Sequence, residues 1–257
     1  MKSFDSDGAP VALVTGSARR IGAAIARKFH DRSYRVLLHC RNSTDEAGAL
    51  AAEFNARRGS SAAVLIADLA SADGGERLAR EALAQFRRVD VLVNNASGYY
   101  PVRFGEVSAE QWDDLLGSNL RGHFFLSQAL GEELRSRGGS IVNIGDIFAS
   151  RARRGYPVYT IAKAGLHAMT RSLALELAPS VRVNTIAPGS IFWPEHLADD
   201  SDPEVAEARR KIMRSIPMQT QGDADQVADL CWFLAVEASY MTGQTVRMDG
   251  GRFLNPA

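Results

Sequence analysis

The chain lacks any apolar run long enough to cross a bilayer. Stretches such as "VALV" and "CWFLAV" fall far short of the ~20 residues a spanning helix needs. It also lacks an excess of charge. Thirty Lys and Arg balance thirty Asp and Glu, so no global field would gather nucleic acid or an anionic lipid surface, and neither partner is expected. Cysteine is scarce: Cys40 and Cys231 are too few for a disulfide scaffold and lack metal-ligand spacing, so no metal is expected. The start "MKSFDSDGAP" is polar and has no stretch of signal-peptide character, which with the reduced cysteines leads to the expectation of a soluble, cytoplasmic protein. Internal repeats, low-complexity tracts and an interdomain linker are missing too.

What remains is an alternation. Short apolar, β-rich runs at 10–16, 34–40, 62–68, 89–96, 139–145, 181–189 and 244–251 are separated by amphipathic helical patterns, among them "RRIGAAIARKFHD", "DEAGALAAEFNARR", "GERLAREALAQF" and a long one, "QWDDLLGSNLRGHFFLSQALGEELRS". Continuous apolar strands alternating with helices predict an α/β fold, a parallel sheet covered on both faces. The expected organisation is a polar N-terminal segment at 1–9 and one Rossmann-type domain at 10–257. Within it, a substrate lid is expected at about 190–222, where "DPEVAEARRKIMRS" predicts a helix of its own, because insertions after parallel strands are where ligands sit.

The first strand runs into "TGSARRIG" and then a helix, a turn that lets phosphate approach backbone amides at a helix start. The middle glycine of GxGxxG is missing; Arg20 stands there, and the motif alone also fits any glycine-containing turn. The second strand ends "LLHCRNSTDE", without the acid that would bind a ribose 2′-hydroxyl. His39, Arg41, Asn42 and Ser43 occupy the place and Arg19 adds a cation. Positive and neutral donors suit a 2′-phosphate, so NADP(H) is expected over NAD(H), unless Arg41 is a solvated loop charge. Asp68 is suited to accept from an adenine amine or to cap the next helix. "NNAS" (Asn94–Ser97) either braces the backbone beneath a cofactor or makes a turn. In "YTIAK", Tyr159 and Lys163 are four apart and share a helix face. At the end of "SIVNIG" stands a carboxylate, Asp146.

Taken in order, "TGSARRIG", "NNAS", Asn119, "YTIAK" and "DGG" resemble the short-chain dehydrogenase/reductase family from about Pro10 to Arg252. The resemblance implies a doubly wound, seven-stranded parallel sheet in a homotetramer. It implies cofactor contacts from Gly16, Ser17, Arg19, Arg20, Ile21, Gly22, His39, Arg41, Asn42, Ser43, Asp68, Leu69, Asn95, Ala96, Ser97, Tyr159, Lys163, Pro188, Gly189 and Ser190. Tyr159 would donate the proton, Lys163 would hold the nicotinamide ribose and lower the phenol pKa, and Asn119 would support a relay water. Asp146 lies thirteen positions before Tyr159, where the family usually has serine. Pteridine reductases within the family carry aspartate there. The chain is similar to them also at Arg20, His39, "NNASGYYP" and "MTRSLALELAP", while "FWPEH" is closer to the dihydromonapterin reductase type.

That likeness implies NADPH-dependent reduction of a small-molecule pterin or folate, with Arg20, Ser97, Tyr99, Asp146 and Tyr159 on the substrate and Asp146, Tyr159, Lys163 and Asn119 as the catalytic set. A pterin is flat and its reducible bonds are C=N, so hydride must reach a ring carbon and a proton a ring nitrogen. A carboxyl can bind the ring's polar edge or pass a proton from Tyr159, and Tyr99 offers a face for stacking. Two rivals stand beside this reading. One is a carbonyl reductase acting on 3-oxoacyl carrier protein, with Arg151, Arg153 and Arg154 toward an acidic carrier, although these arginines are equally read as solvated or at a subunit contact. The other is a non-catalytic NADP(H)-sensing module, against which the set Asn119, Tyr159 and Lys163 speaks.

Overall fold

The structure is a computed structural model that describes residues 8–193, 197, 199 and 201–255. Seven strands form one sheet: β1 (Val11–Val14), β2 (Arg35–Cys40), β3 (Ala62–Ile66), β4 (Val91–Asn94), β5 (Ser140–Ile144), β6 (Arg182–Pro188) and β7 (Thr245–Met248). Their order is β3-β2-β1-β4-β5-β6-β7, with every pair parallel. Each strand lies inside one of the seven apolar runs, and the doubly wound fold is as expected.

Such a sheet needs cover on both faces, since its strands are apolar on both. On one face Ile25, Phe29, Leu50, Phe54, Val227 and Leu234 pack in a core that includes Val14, Val36 and Leu38. They come from α1 (Arg20–Asp31), α2 (Thr44–Arg57) and α9 (Ala224–Trp232) with the turn that follows it. The other face is covered by α3 (Gly74–Phe86), α5 (Gly122–Ala129), α6 (Gly131–Arg137) and α7 (Pro157–Leu177), through Leu78, Leu126, Leu134, Leu166 and Leu173. The sheet's direction of winding reverses between β1 and β4, so the chain leaves a crevice beyond the carboxyl ends of those strands.

The long helical pattern after β4 does not form one helix. It divides into α4 (Ala109–Leu116), a π-helical turn at Gly117–Arg121, then α5 and α6. Asn119 sits in that wide turn, where its side-chain amide donates to the Leu115 carbonyl at 2.9 Å and to the Gly98 carbonyl at 2.9 Å. An amide that competes for a helix carbonyl opens the ladder, and such bulges cluster at functional sites. The expected lid helix is α8 (Pro203–Arg214), begun by Asp202, whose carboxylate accepts from the Glu204 amide at 2.8 Å. The rest of the 190–222 span falls outside the described residues at 194–196, 198 and 200, as do 1–7 of the N-terminal segment and the terminal 256–257.

The turn after β1 is as tight as its glycines demand. A Cβ on Gly22 would lie 2.3 Å from the Gly16 carbonyl oxygen and 2.6 Å from the Asn95 side-chain nitrogen, whereas a Cβ on Gly48, exposed within α2, would meet nothing within 4 Å. Gly22→Ala is therefore expected to lower the unfolding free energy by ~1–3 kcal/mol through overpacking. Gly48→Ala should raise it by ~0.5–1 kcal/mol, since alanine removes the entropy cost of a helical glycine. Urea unfolding of the two variants checks both signs.

Candidate active site

The crevice beyond β1 and β4 is a cleft of about 620 Å³. At one end it is built by backbone bracing. The Thr15 hydroxyl accepts from the amides of Asn95 and Ala96 at 2.8 and 2.9 Å, and the Asn95 side chain donates to the carbonyls of Thr15 and Gly16 at 2.8 and 3.0 Å. Asn94 donates to Asn143 at 2.8 Å and to Ser127 at 3.1 Å, tying β4 to β5 and α5. The amides of "NNAS" thus lock the turn after β1 to the end of β4.

His39 belongs to the same scaffold. The Gly16 amide donates to its Nδ1 at 3.1 Å, so the ring proton is on Nε2, which donates to the Ala67 carbonyl at 3.1 Å. Both nitrogens are used and burial drives the imidazole pKa down to about 4, so His39 is neutral and supplies no cation to a phosphate. The remaining donors at the end of β2 do gather: Arg19 donates to the Ser43 hydroxyl at 3.0 Å and pairs with Glu46 at 3.5 Å. Arg41 reaches Asp114 at 3.4 Å and Asp68 at 3.8 Å. Such exposed pairs are worth ~0–1 kcal/mol and exchange readily for a phosphate.

No side chain caps the start of α1, which leaves its first-turn amides open toward the cleft. Arg20 holds a left-handed backbone, φ 52°, at the place of the missing glycine, a conformation that costs a non-glycine residue ~1–3 kcal/mol. Its guanidinium lies 5.9 Å from the Phe192 ring centroid. Every anticipated cofactor residue lines the cleft except Ser17, which is buried and donates its amide to the His39 carbonyl at 2.9 Å. The open helix start, the clustered donors and the braced glycine turn together fit a dinucleotide phosphate.

At the other end, Asp146 ends the strand run of β5, and α7 presents Tyr159 and Lys163 one turn apart. The Tyr159 hydroxyl donates to Asp146 Oδ2 at 2.8 Å, while Asp146 Oδ1 accepts from the Phe148 amide at 2.8 Å. Lys163 is 2% exposed and its ammonium donates to the Ile144 carbonyl at 2.9 Å. Burial pushes the Asp146 carboxyl above its ordinary value against the amide of Phe148, the phenol, Lys163 and Arg153. Burial also lowers the Lys163 ammonium to about 8, opposed by Asp146. The Tyr159 phenol is pushed well above its ordinary value, first by burial and then by the Asp146 charge, with Arg153 opposing. The Lys163 ammonium, donating to Ile144, lies 5.8 Å from the phenol ring centroid.

Asn119 in the π turn is held by three acceptors, and the Ser97 hydroxyl donates to its Oδ1 at 2.7 Å. Asn119 itself does not line the cleft. Tyr99 does, but one face of its ring is stacked on Tyr156 at 4.9 Å and 15°, and its edge contact with Tyr159 is at 4.9 Å and 78°. Its hydroxyl accepts from Arg153. The residue-type reading did not anticipate Phe148 and Arg252 in the wall, nor that Arg153 turns inward, whereas Phe192 and Trp193 lie in the span expected as a lid. Loop aromatics carry no motif, and a basic cluster in sequence does not say which member faces a cleft.

The fold and this cleft define an oxidoreductase that uses a nicotinamide cofactor. The family model described as enoyl-(acyl carrier protein) reductase matches residues 16–252. The chain is 37% identical to pteridine reductase 1 of Leishmania tarentolae over 98% of this chain and 99% of that protein. It is 33% identical to the 3-oxoacyl-acyl-carrier-protein reductase FabG of Staphylococcus aureus over 95% and 98% of the two chains. With 3-oxoacyl-acyl-carrier-protein reductase of Synechocystis the identity is 36% over 95% and 96%. The protein belongs to the short-chain dehydrogenase/reductase family.

His39 gives a pH test of the scaffold. Its folded pKa is depressed below the ordinary 6.5, so its bonds contribute fully above pH 6.5 and are lost as pH falls toward 4. One such histidine contributes up to ~1.4 kcal/mol per pH unit to that loss. His39→Gln can keep both bonds, one acceptor and one donor, without titrating. Urea midpoints between pH 6.5 and 4 should fall less steeply in the variant; an unchanged slope would remove His39 from the account.

Proposed function

We propose that the protein is an NADPH-dependent pteridine reductase that converts 7,8-dihydropterins, such as dihydrobiopterin, dihydromonapterin or dihydrofolate, to their tetrahydro forms. The observation that carries this reading is the 2.8 Å hydrogen bond from Tyr159 to Asp146 at the place of the family's usual serine. A ketone reduction produces an alkoxide, which a neutral hydroxyl stabilises and a carboxylate repels. Reduction of the N5=C6 bond of a dihydropterin produces an anionic ring nitrogen that must gain a proton, and a carboxyl that keeps its proton to higher pH than a solvated one serves it.

Reduced nicotinamide in the cleft would supply the hydride to C6. The chain's own residues do the rest. Asp146, with a pKa raised by burial, keeps a proton to higher pH than a solvated carboxyl and shares it with the phenol. Lys163 stays near enough to balance the charge left when the pair gives up its proton. The Ser97 hydroxyl and Gly98, which line the cleft with the phenol, are bonded from behind by Asn119 and would pass protons for resupply. Tyr99 lines the cleft as a stacking surface, and Arg19, Arg41 and Ser43 would take the 2′-phosphate that distinguishes NADPH from NADH.

NADPH oxidation assays with these three dihydropterins and with an acetoacetyl thioester, repeated with NADH, test the reading. Dihydropterins with NADPH should be the fastest pair. Asp146→Ala should lower their kcat/KM ~10²–10⁴-fold, the usual range of a lost acid–base partner. Because the Asp146 pKa is raised, kcat/KM should descend as pH rises past it, and Asp146→Asn should abolish that descent. Faster turnover of the thioester would favour the second reading, 3-oxoacyl reduction, which the FabG-type relatives support.

The family likeness also supports a homotetramer. A shallow apolar hollow formed by Leu116, Leu120, Phe124, Phe125 and Met169 lies between α4–α5 and α7, with Phe124 and Ile161 exposed beside it. Light scattering should give four times the chain mass, and Phe124→Glu should reduce it by placing charge where apolar surface meets apolar surface. A monomeric mass for the unsubstituted protein would remove this assignment. The buried, unpaired Cys40 and Cys231 fit a reducing, cytoplasmic setting.

A further inference from the structure

Arg153 and Arg252 take no part in the chemistry described so far. They reach the cleft from different ends of the chain: Arg153 from the loop between β5 and α7, Arg252 from the turn after β7. Their guanidinium carbons lie 5.2 and 5.6 Å from the centroid of one ring, Phe148. Arg153 also donates to the Tyr99 hydroxyl and packs 4.6 Å from the Tyr156 centroid. Neither guanidinium forms an ion pair among the described residues.

The nearby carboxylates are committed elsewhere. Asp249 accepts from the amides of Gly251 at 3.0 Å and Phe253 at 2.7 Å, folding the turn that carries Arg252. Asp146 is shared between Tyr159 and Phe148. The position is therefore costly as it stands. Two half-buried cations lie around one aromatic ring, and burial together with the Arg153 and Arg151 charges lowers the Arg252 pKa against the pull of Asp146 and Asp249. An anion between them would relieve that repulsion, and each guanidinium can grip a carboxylate or phosphate with two parallel N–H donors.

The chemistry of a dihydropterin says what that anion would be. Its side chain is attached to C6, the carbon of the reacting bond, so the tail leaves the ring close to Asp146 and Tyr159. Phe148, held by its amide to Asp146, and the two arginines around it stand at that exit. We infer that Arg153 and Arg252 form an anion-recognition site selecting dihydropterins whose C6 substituent carries a carboxylate or a phosphate over those with an uncharged polyol. The inference rests on the pteridine reductase reading and adds the substrate class to it.

The test compares kcat/KM for dihydrofolate (glutamate carboxylates), dihydroneopterin monophosphate (a phosphate ester) and dihydrobiopterin (an uncharged tail) in the full-length protein, Arg252→Gln, Arg252→Lys and Arg153→Gln. The unsubstituted enzyme should favour at least one charged substrate over dihydrobiopterin, and which one identifies the anion. Arg252→Gln should reduce that preference ~10-fold or more, the usual size of a lost charge-assisted hydrogen bond, with partial recovery in Arg252→Lys. Arg153→Gln should reduce it in the same direction. Added salt should raise KM for the charged substrate more than for dihydrobiopterin. Fluorescence titration of folate against biopterin reads the same preference without turnover. Charged-to-neutral ratios that stay equal across all four proteins would overturn this inference and leave the reductase reading standing; no turnover of any dihydropterin would overturn both.

Discussion

A single proton held between the Tyr159 oxygen and an Asp146 oxygen, in a pocket where neither is freely hydrated, sets the conditions for everything around it. Water removed from a carboxylate and a phenol raises both pKa values, so the pair resists ionisation. The same loss of water pushes Lys163 toward its neutral form. Desolvation alone would give three uncharged groups. What keeps the site polar is their mutual attraction: Asp146 raises the lysine and the lysine lowers the aspartate. Such coupled groups gain and lose protons as one unit. A serine at 146 would offer no carboxylate to oppose the loss of charge on Lys163, nor a second titrating group to hold a proton beside the phenol.

That balance requires positions fixed to fractions of an ångström, and the scaffold supplies them with neutral hydrogen bonds and few charges. Thr15, His39, Asn94, Asn95 and Asn143 are all engaged by backbone or one another beneath the cleft. A buried amide or neutral imidazole can satisfy a carbonyl and an N–H at once without the desolvation cost of an ion. It also leaves the local field to the groups that do chemistry. His39 shows the distinction: residue type suggests a cation beside the turn after β1, but the Gly16 amide needs its lone pair, and that one bond makes it a brace.

The fold was legible in the sequence because burial on both faces of a parallel sheet writes apolar strands in continuous runs, and all seven strands fell within theirs. Helix periodicity placed Tyr159 and Lys163 on one face, and the family resemblance marked Asp146 as standing on the site of the usual serine. Three features were not legible. The long helical pattern after β4 has no proline or cap at Gly117, and its π turn goes with the Asn119 side chain bonding both the Leu115 carbonyl and the distant Gly98 carbonyl, which periodicity cannot express. His39 looked like a donor because residue type was visible and its two partners were not. Arg153 read as one of three basic loop residues, and only folding distinguishes the one that turns in from Arg154, which stays exposed. Arg252 is nearly a hundred residues away and became its neighbour through the last strand.

A chain with no net charge nonetheless builds a cleft that, among the described residues, carries six cationic side chains, Arg19, Arg20, Arg41, Arg153, Lys163 and Arg252, against two carboxylates, Asp68 and Asp146. Low-dielectric walls focus such a local excess, so neutrality overall and attraction at the opening coexist. The distribution is also divided. Arg19 and Arg41, toward the β2 end, lie against acids they can release to a phosphate, whereas Arg153 and Arg252 lie against aromatic faces. A ring face holds a guanidinium in place while leaving its N–H edge toward a ligand. The cations at the two ends of the cleft are therefore held in different ways, by exchangeable acids at one and by aromatic faces at the other.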